Sequence, residues 1–390
     1  VLIAPDKFKG TLTAPQVAAH IAAGLRRTCP DVPVVVLPVA DGGDGTVDSA
    51  VAGGYSRITV VVRGPIGEPV GACLAIRDRV AILEAAQACG LSRLPGGTSA
   101  PLTATSYGAG ELVAAAIQAG ADRIVLGLGG VACTDGGAGL VQALGGQLLD
   151  HGGVPLPPGG GALAALDRLD LDGLRAAPRV TGAGVGAGVI AACDVDNPLL
   201  GPHGAAAVYA PQKGASRRDV AILEAGLARW ADVTEQTLGH RYRDLPGAGA
   251  AGGLGFAALA FLDASMRQGI DVLLECLDFA RHVAGARLVI TGEGSLDAQT
   301  LRGKAPAGVA RAAAEAGVPV VAVAGVATLA ERDLCRTGIA AVYPLTSIQP
   351  ELRLCLSDPG PLVEDIAERL AHDWLSLTAT PANAGRAGQS

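Results

Sequence analysis

Short apolar runs that stop at a polar, glycine-bearing loop recur along this chain, and small-residue helical segments follow them. The clearest case is Arg287–Pro306, RLVITGEGSLDAQTLRGKAP. Leu288, Val289, Ile290 and Thr291 read as a buried strand. It empties into Gly292-Glu293-Gly294-Ser295-Leu296-Asp297. Gly303-Lys304 then precede a Pro-started, Ala-rich helix. Strands alternating with helices in this way confine a chain to the α/β class. In open sheets of that class, ligands sit beyond the carboxyl ends of the strands.

Five such strands stand at the two chain ends, at residues 1–5, 32–39, 287–291, 318–324 and 340–345. The middle of the chain has strands and helices of its own, including Arg57–Arg63, Gly71–Ile76, Val80–Glu84, Arg123–Leu128 and Val189–Cys193. A length of 390 residues exceeds one ordinary core. The economical topology is a doubly wound, flavodoxin-like parallel sheet domain made of residues 1–65 and 286–376. A second α/β domain, 66–285, is inserted into it, and 377–390 is expected to be a disordered tail. Gly152–Gly161 and Thr181–Gly188 read as exposed loops.

Composition removes several function classes. A net charge of −7 argues against nucleic acid as the partner. No run of about 18 uncharged apolar residues occurs, so no membrane partner is expected. The eight cysteines are scattered without a C-x-x-C pair, which reads as reduced thiols in the cytoplasm. The six histidines show no helical ligand spacing, so zinc is not expected.

The carboxylates carry the chemistry. Asp6, Asp41, Asp44, Asp135, Asp194, Glu293 and Asp297 each follow an apolar strand. One loop Asp is a cap; so many at strand ends exceed what capping needs. Lys7, Lys9, Lys213 and Lys304 sit in the same kind of loop, in a chain with a Lys+Arg total of 30 that otherwise uses Arg. Oxygen ligands for Mg²⁺, lysines for phosphate oxygens and a base for a hydroxyl are what phosphoryl transfer needs.

Two glycine loops bear on this. Gly129 and Gly130 open a loop to Gly137 between a strand and a helix, where backbone amides can cradle phosphate; Asp135 there reads alternatively as an N-cap. Gly247, Gly249 and Gly252 form G-x-G-x-x-G, but no strand precedes them, so the dinucleotide reading fails. Their unshielded amides suit either a close ligand approach or a tight helix-packing turn. No Walker-A motif occurs.

Seven ordered motifs resemble the bacterial type I glycerate kinases along nearly the whole chain. They are Ile3–Ala14, Leu37–Thr46, Gly129–Gly139, Cys193–Ala206, Ala210–Ala215, Pro246–Gly255 and Val289–Pro306. Val131, Thr134 and Ala210 depart from the family's usual Ser, Asn and Gly. The resemblance implies two α/β domains, ATP as co-substrate, Mg²⁺ as cofactor and D-glycerate as acceptor. It favours the 2-hydroxyl and 2-phosphoglycerate. A 3-phosphoglycerate-forming enzyme, another small hydroxy-acid kinase and a non-catalytic anion-binding sensor are the alternatives, and a homodimer is left open. On this reading Asp194, Lys7 and Lys9 are catalytic. Asp6, Asp41, Asp44, Gly129, Gly130, Asp135, Lys213, Gly249, Gly252, Glu293 and Lys304 bind substrate or phosphate, and Glu293 with Asp297 holds Mg²⁺.

Overall fold

The computed structural model describes residues 1–176, 188–297, 300, 304–329 and 331–376. The loop expected at 181–187 and the tail expected at 377–390 lie outside the described residues. In chain order the first strands are β1 (Leu2–Pro5), β2 (Val35–Val36), β3 (Ser56–Arg63), β4 (Pro69–Arg77), β5 (Val80–Glu84) and β6 (Arg123–Gly127). Then come β7 (Gln147–Leu149), β8 (Arg168–Asp170), β9 (Gly188–Ala192), β10 (Ser265–Arg267), β11 (Val289–Leu296), β12 (Val320–Ala327) and β13 (Ile339–Pro344).

The two chain ends build one parallel sheet of order β13-β12-β11-β1-β2. Counted along the chain within this sheet, that is the flavodoxin-like 2-1-3-4-5, whose crevice opens between the first and third strands. Those strands are β1 and β11, paired from Leu2↔Val289 to Pro5↔Gly292. A second sheet has the order β10-β9-β6-β5-β4-β3. β10, β9, β6 and β5 run parallel, while β4 and β3 add an antiparallel hairpin.

Helices cover both faces of both sheets, which explains why the central strands read as unbroken apolar runs. The pleat sends alternate residues to different cores. Ile3, Ile290, Val321 and Val323 pack outward under helices Ala14–Thr28 and Pro359–Trp374. Leu2, Ala4, Val289, Val320 and Ala322 point inward, into a core shared with Ile82, Val125 and Ile190 of the second sheet. Helices Thr46–Ala52, Gly269–Cys276 and Ala305–Glu315 lie in that shared layer. Leu83, Ile124 and Leu126 face the far side, against helices Tyr107–Gln118, Arg217–Leu238 and Ala250–Phe261. Local signals set the helix starts: Thr13 and Ser216 each make a capping box, with Gln16 and Asp219 respectively.

Four details differ from the sequence reading. β3 pairs along its whole length with β4, so residue 65 lies in the turn of a hairpin of the second sheet. Only Val35–Val36 of the expected strand 32–39 is a regular strand, although Leu37 and Val39 still donate to Ile3 and Pro5 carbonyls at 2.8 and 2.9 Å. β11 does not stop at Thr291; Glu293 and Ser295 pair with Ala324 and Val326. The β7–β8 hairpin and β10 had no sequence signal, being three residues each.

Candidate active site

The carboxyl ends of parallel strands from both sheets face one another and enclose two adjoining cavities of about 260 and 670 Å³. Asp41, Gly43, Leu91 and Gly130 line both. The contact between the sheets is backbone on backbone. A Cβ on Gly129 would stand 2.8 Å from Gly43 Cα, and a Cβ on Gly269 would collide with the Asp41 carbonyl. Only glycine lets the Asp41 loop sit this close to the strand ends of the other sheet.

The larger cavity lies beyond β1 and β11. Asp6, Lys7, Lys9, Asp44, Glu293 and Lys304 form its charged side. Asp6 is 5% exposed and accepts from the Lys7 amide at 2.6 Å and the Lys7 ammonium at 3.5 Å. Burial pushes its carboxyl up to about 6 against the pull of Lys7, and the charge of Asp41 adds to the rise. For Lys7 burial acts downward, but Asp6, Asp41 and Asp44 together outweigh it and hold the ammonium above its ordinary value. Glu293, on the β11 extension, accepts from the Thr300 hydroxyl. Burial pushes it up to about 7, opposed by Thr300 and Lys304 and reinforced by Asp6 and Asp297.

The smaller cavity lies beyond β6 and β9. Its polar groups include Asp194, Tyr209, Gln212 and Lys213, over a floor containing Gly129, Gly130 and Val131. Asp194 accepts from the Gly269 amide at 3.1 Å. Burial raises its carboxyl to about 6; Asp41 and Asp271 add to this, while Gly269 and Lys304 oppose it. Lys213 is 6% exposed and donates to the Cys133 carbonyl at 2.6 Å. Burial holds its pKa below the usual lysine value.

All four lysines of the chain therefore line this pair of cavities. Asp135 does not. It is 1% exposed and accepts from Ser106 N and Oγ, Gly137 N and Gly139 N at 2.8–3.3 Å. It ties down the start of helix Ala138–Ala143 from two residues before the N-cap, Gly137, and its bonds occupy the Gly137 and Gly139 amides. Gly249 and Gly252 are packing glycines: added Cβ atoms would collide with the carbonyls of Pro198 and Cys133. Ala250 and Ala251 reach the cavity wall in their place. Asp297 is not among the residues lining either cavity and acts on Glu293 through its charge.

A further buried acid carries no motif in the sequence. Glu84 ends β5, is 1% exposed, and accepts from Val47 N at 2.5 Å and from Gln87 at 3.4 Å. Burial raises its carboxyl to about 7. Its only sequence signal was an apolar run ending on a carboxylate. The apolar wall at Leu345, Leu352 and Leu356 gave no signal at all.

A family model described as the glycerate kinase family matches residues 1–375. The glycerate kinase of Bacillus subtilis (strain 168) is 45% identical over 376 residues, 96% of each chain. The glycerate 2-kinase of Escherichia coli (strain K12) is 42% identical over 353 residues, 89% of this chain and 91% of that one. A crystal structure from Salmonella typhimurium LT2, provisionally assigned as glycerate kinase 2, superposes with a TM-score of 0.81 at 38% identity, over 95% of this chain and 97% of that one. Matches that cover 89–97% of both chains, over a fold whose strand ends carry the lysines and acids just described, leave one conclusion: the chain belongs to the glycerate kinase family.

Proposed function

We propose that this chain transfers the γ-phosphoryl group of ATP to the 2-hydroxyl of D-glycerate, giving ADP and 2-phosphoglycerate. One observation carries the reading: every lysine in the chain lines two joined cavities whose other charged groups are all carboxylates. Phosphoryl transfer is largely positioning plus neutralisation of phosphate oxygens, and compact ammonium charges suit that task. The choice of the 2-hydroxyl is supported by the name of the Escherichia coli relative.

In the step itself, Asp194 accepts the proton of the attacking hydroxyl. The hydroxyl oxygen bonds to the γ-phosphorus as the bond to the β,γ-bridging oxygen breaks, and that oxygen leaves with ADP. Lys7, Lys9 and Lys304 neutralise phosphate oxygens. Asp41, at the junction of the cavities, and Asp44 orient the reacting groups.

Mg²⁺ fits the donors present. Among the described residues no three acids or imidazoles form a ready-made cage. However, Mg²⁺ bound with substrate phosphates needs only one or two carboxylates and is satisfied by oxygen. Glu293 and Asp297 would hold it, and it would supply charge neutralisation at the phosphates. Asp6 and Asp297 both repel the Glu293 carboxylate, and a bound cation would relieve that repulsion. Among the described residues no helix is long and apolar enough to cross a membrane, and seven cysteines are free. We read the chain as a cytoplasmic enzyme.

The test is a coupled assay of ADP release with and without D-glycerate, followed by phosphorus NMR of the product. Glycerate-dependent ADP release and a 2-phosphoglycerate signal are expected. A 3-phosphoglycerate signal overturns the position of transfer. Tight glycerate binding without turnover overturns the reaction and favours a sensor.

A further inference from the structure

The two cavities differ in size and in lining, and the difference divides them between the two substrates. We propose that the larger cavity seats the nucleotide with its base on the apolar wall of Val326, Leu345, Leu352 and Leu356, and that the smaller cavity takes the hydroxy acid. This rests on the kinase reading above.

Volume is the first argument. About 670 Å³ lies within the range of sites that bury a drug-sized ligand, roughly 300–1,000 Å³, whereas about 260 Å³ falls below it. A three-carbon acid fits the small space and a nucleoside triphosphate does not.

Chemistry is the second. The larger cavity is polar at one end and apolar at the other. Lys7, Lys9 and Lys304 stand at the ends of β1 and β11 and before helix Ala305–Glu315. The opposite wall comes from the end of β12 and from helix Leu352–Ser357. Its lining there bears no charged side chain. A triphosphate joined to a flat heteroaromatic base has this same division. Leu352 and Leu356 are 47% and 52% exposed, and residues four apart share one helix face. Two leucines turned toward a cavity, left open to water, gain burial when a base covers them.

Connection is the third. Asp41, Gly43 and Gly130 line both cavities, so a nucleotide whose base lies at Leu352 extends its phosphates toward the junction. On the far side of the junction stand Asp194, positioned to take a proton, and Lys213. Among the described residues Lys213 has no carboxylate ion-pair partner, and its hydrogen bonds run to the Cys133 carbonyl and, at 3.5 Å, the Thr134 hydroxyl. A substrate carboxylate supplies the missing anion.

The experiment compares ADP with inorganic tripolyphosphate, which carries the phosphates but no base, in calorimetric titrations of the full chain. Leu352→Gln and Leu356→Gln change exposed positions and keep the fold; Leu354→Gln, 48% exposed but outside the cavity lining, is the control. The Leu352→Gln/Leu356→Gln double variant is expected to bind ADP about tenfold more weakly, with tripolyphosphate affinity and the KM for D-glycerate unchanged. Lys213→Met is expected to raise the KM for D-glycerate about tenfold or more and to leave ADP affinity unchanged. Unchanged ADP binding in the double variant overturns the base assignment, as does an equal loss in Leu354→Gln. A wild-type chain that phosphorylates glycerate while failing these contrasts sinks the subsite assignment alone. A wild-type chain that binds no ADP sinks the kinase reading with it.

Discussion

In the proposed step, Asp194 is the residue on which the chemistry depends most directly. Its carboxyl stands near 6 because burial penalises the charged form and Asp41 and Asp271 repel it. That value leaves it ionised at neutral pH but basic enough to take a proton in the transition state. Asp194→Asn is expected to lower kcat by about 10²–10⁴-fold in single-turnover kinetics and to abolish the acid limb of the pH–rate profile near 6. A near wild-type kcat would exclude it as the base. Asp6, Glu84, Asp194 and Glu293 share a second consequence. Each has an ordinary value of 3.8 or 4.5, and in the folded chain each is raised to about 6 or 7. Between those values the folded state binds more protons than the unfolded one, so stability falls as pH rises through that window. Glu235 and Glu275 are shifted the opposite way, Glu275 chiefly by hydrogen bonding to Arg123 and Glu235 by Arg243 acting against burial, and they act below the window. The ligand-free chain should therefore melt at a higher temperature near about pH 5 than near about pH 8 in scanning calorimetry. Lys213, held below its ordinary value by burial, has the opposite linkage and adds stability as pH rises, so an unchanged or rising Tm would show that these acids are solvated or that Lys213 outweighs them.

At the scale of elements, β5 and helix Thr46–Ala52 are tied by one side chain. Glu84 leaves the second sheet and accepts from Val47 N, in the first turn of a helix that belongs to the first strand set and has no capping side chain of its own. That helix follows the loop carrying Asp41 and Asp44. Glu84→Ala leaves a buried amide unsatisfied, which costs about 1–3 kcal/mol and should lower Tm. Glu84→Gln keeps an acceptor oxygen and should recover most of it. Equal losses in both variants would mean that the charge, not the hydrogen bond, holds the loop. This contact was beyond the reach of sequence, because it joins residues whose only relation is tertiary. The strands at the two chain ends were legible because strands covered on both faces must be apolar throughout, and their pairing order followed from the return of the chain after the insertion. Short pieces such as β10 take their pairing from neighbours and leave no pattern. The strand expected at 32–39 is shorter in the fold for a physical reason. Val35, Leu37 and Val39 donate toward β1, so Pro38 occupies an outward-facing edge position, where a missing N–H blunts further pairing. Gly292-Glu293-Gly294 looked like a loop because glycines usually end strands. Here Gly292 is required because any Cβ would strike the Val323 carbonyl of the neighbouring strand. Of the expected site residues, the four lysines and Asp6, Asp41, Asp44, Gly129, Gly130, Asp194 and Glu293 line the cavities, while Asp135, Gly249 and Gly252 are held inside the fold and Asp297 is outside the lining, although Asp135 and Asp297 also follow strands. Composition cannot separate those uses.

Across the whole molecule the layers alternate: helices, sheet, helices, sheet, helices. The central helical layer is apolar toward both sheets, and its core joins Leu2 and Val289 with Ile82, Val125 and Ile190. We read the chain as two lobes, with the hairpin β3–β4 in the inserted one, but these lobes are not joined by a thin linker. Separating them would expose apolar surface at about 25 cal/mol per Å². Large hinge rotations are the default only where an interdomain interface is small or polar. Water must still be kept from the transferred phosphoryl group, and the shared core leaves that task to elements at the rim. Helix Leu352–Ser357 is the exposed element best placed for it, since three of its six residues line the larger cavity. The radius of gyration from small-angle scattering should therefore be the same with and without ADP plus D-glycerate. Hydrogen exchange should slow over 352–357 and the loop after β1 when the ligands bind. A measurable compaction on binding would show instead that the central layer slips, and that closure is a motion of whole lobes.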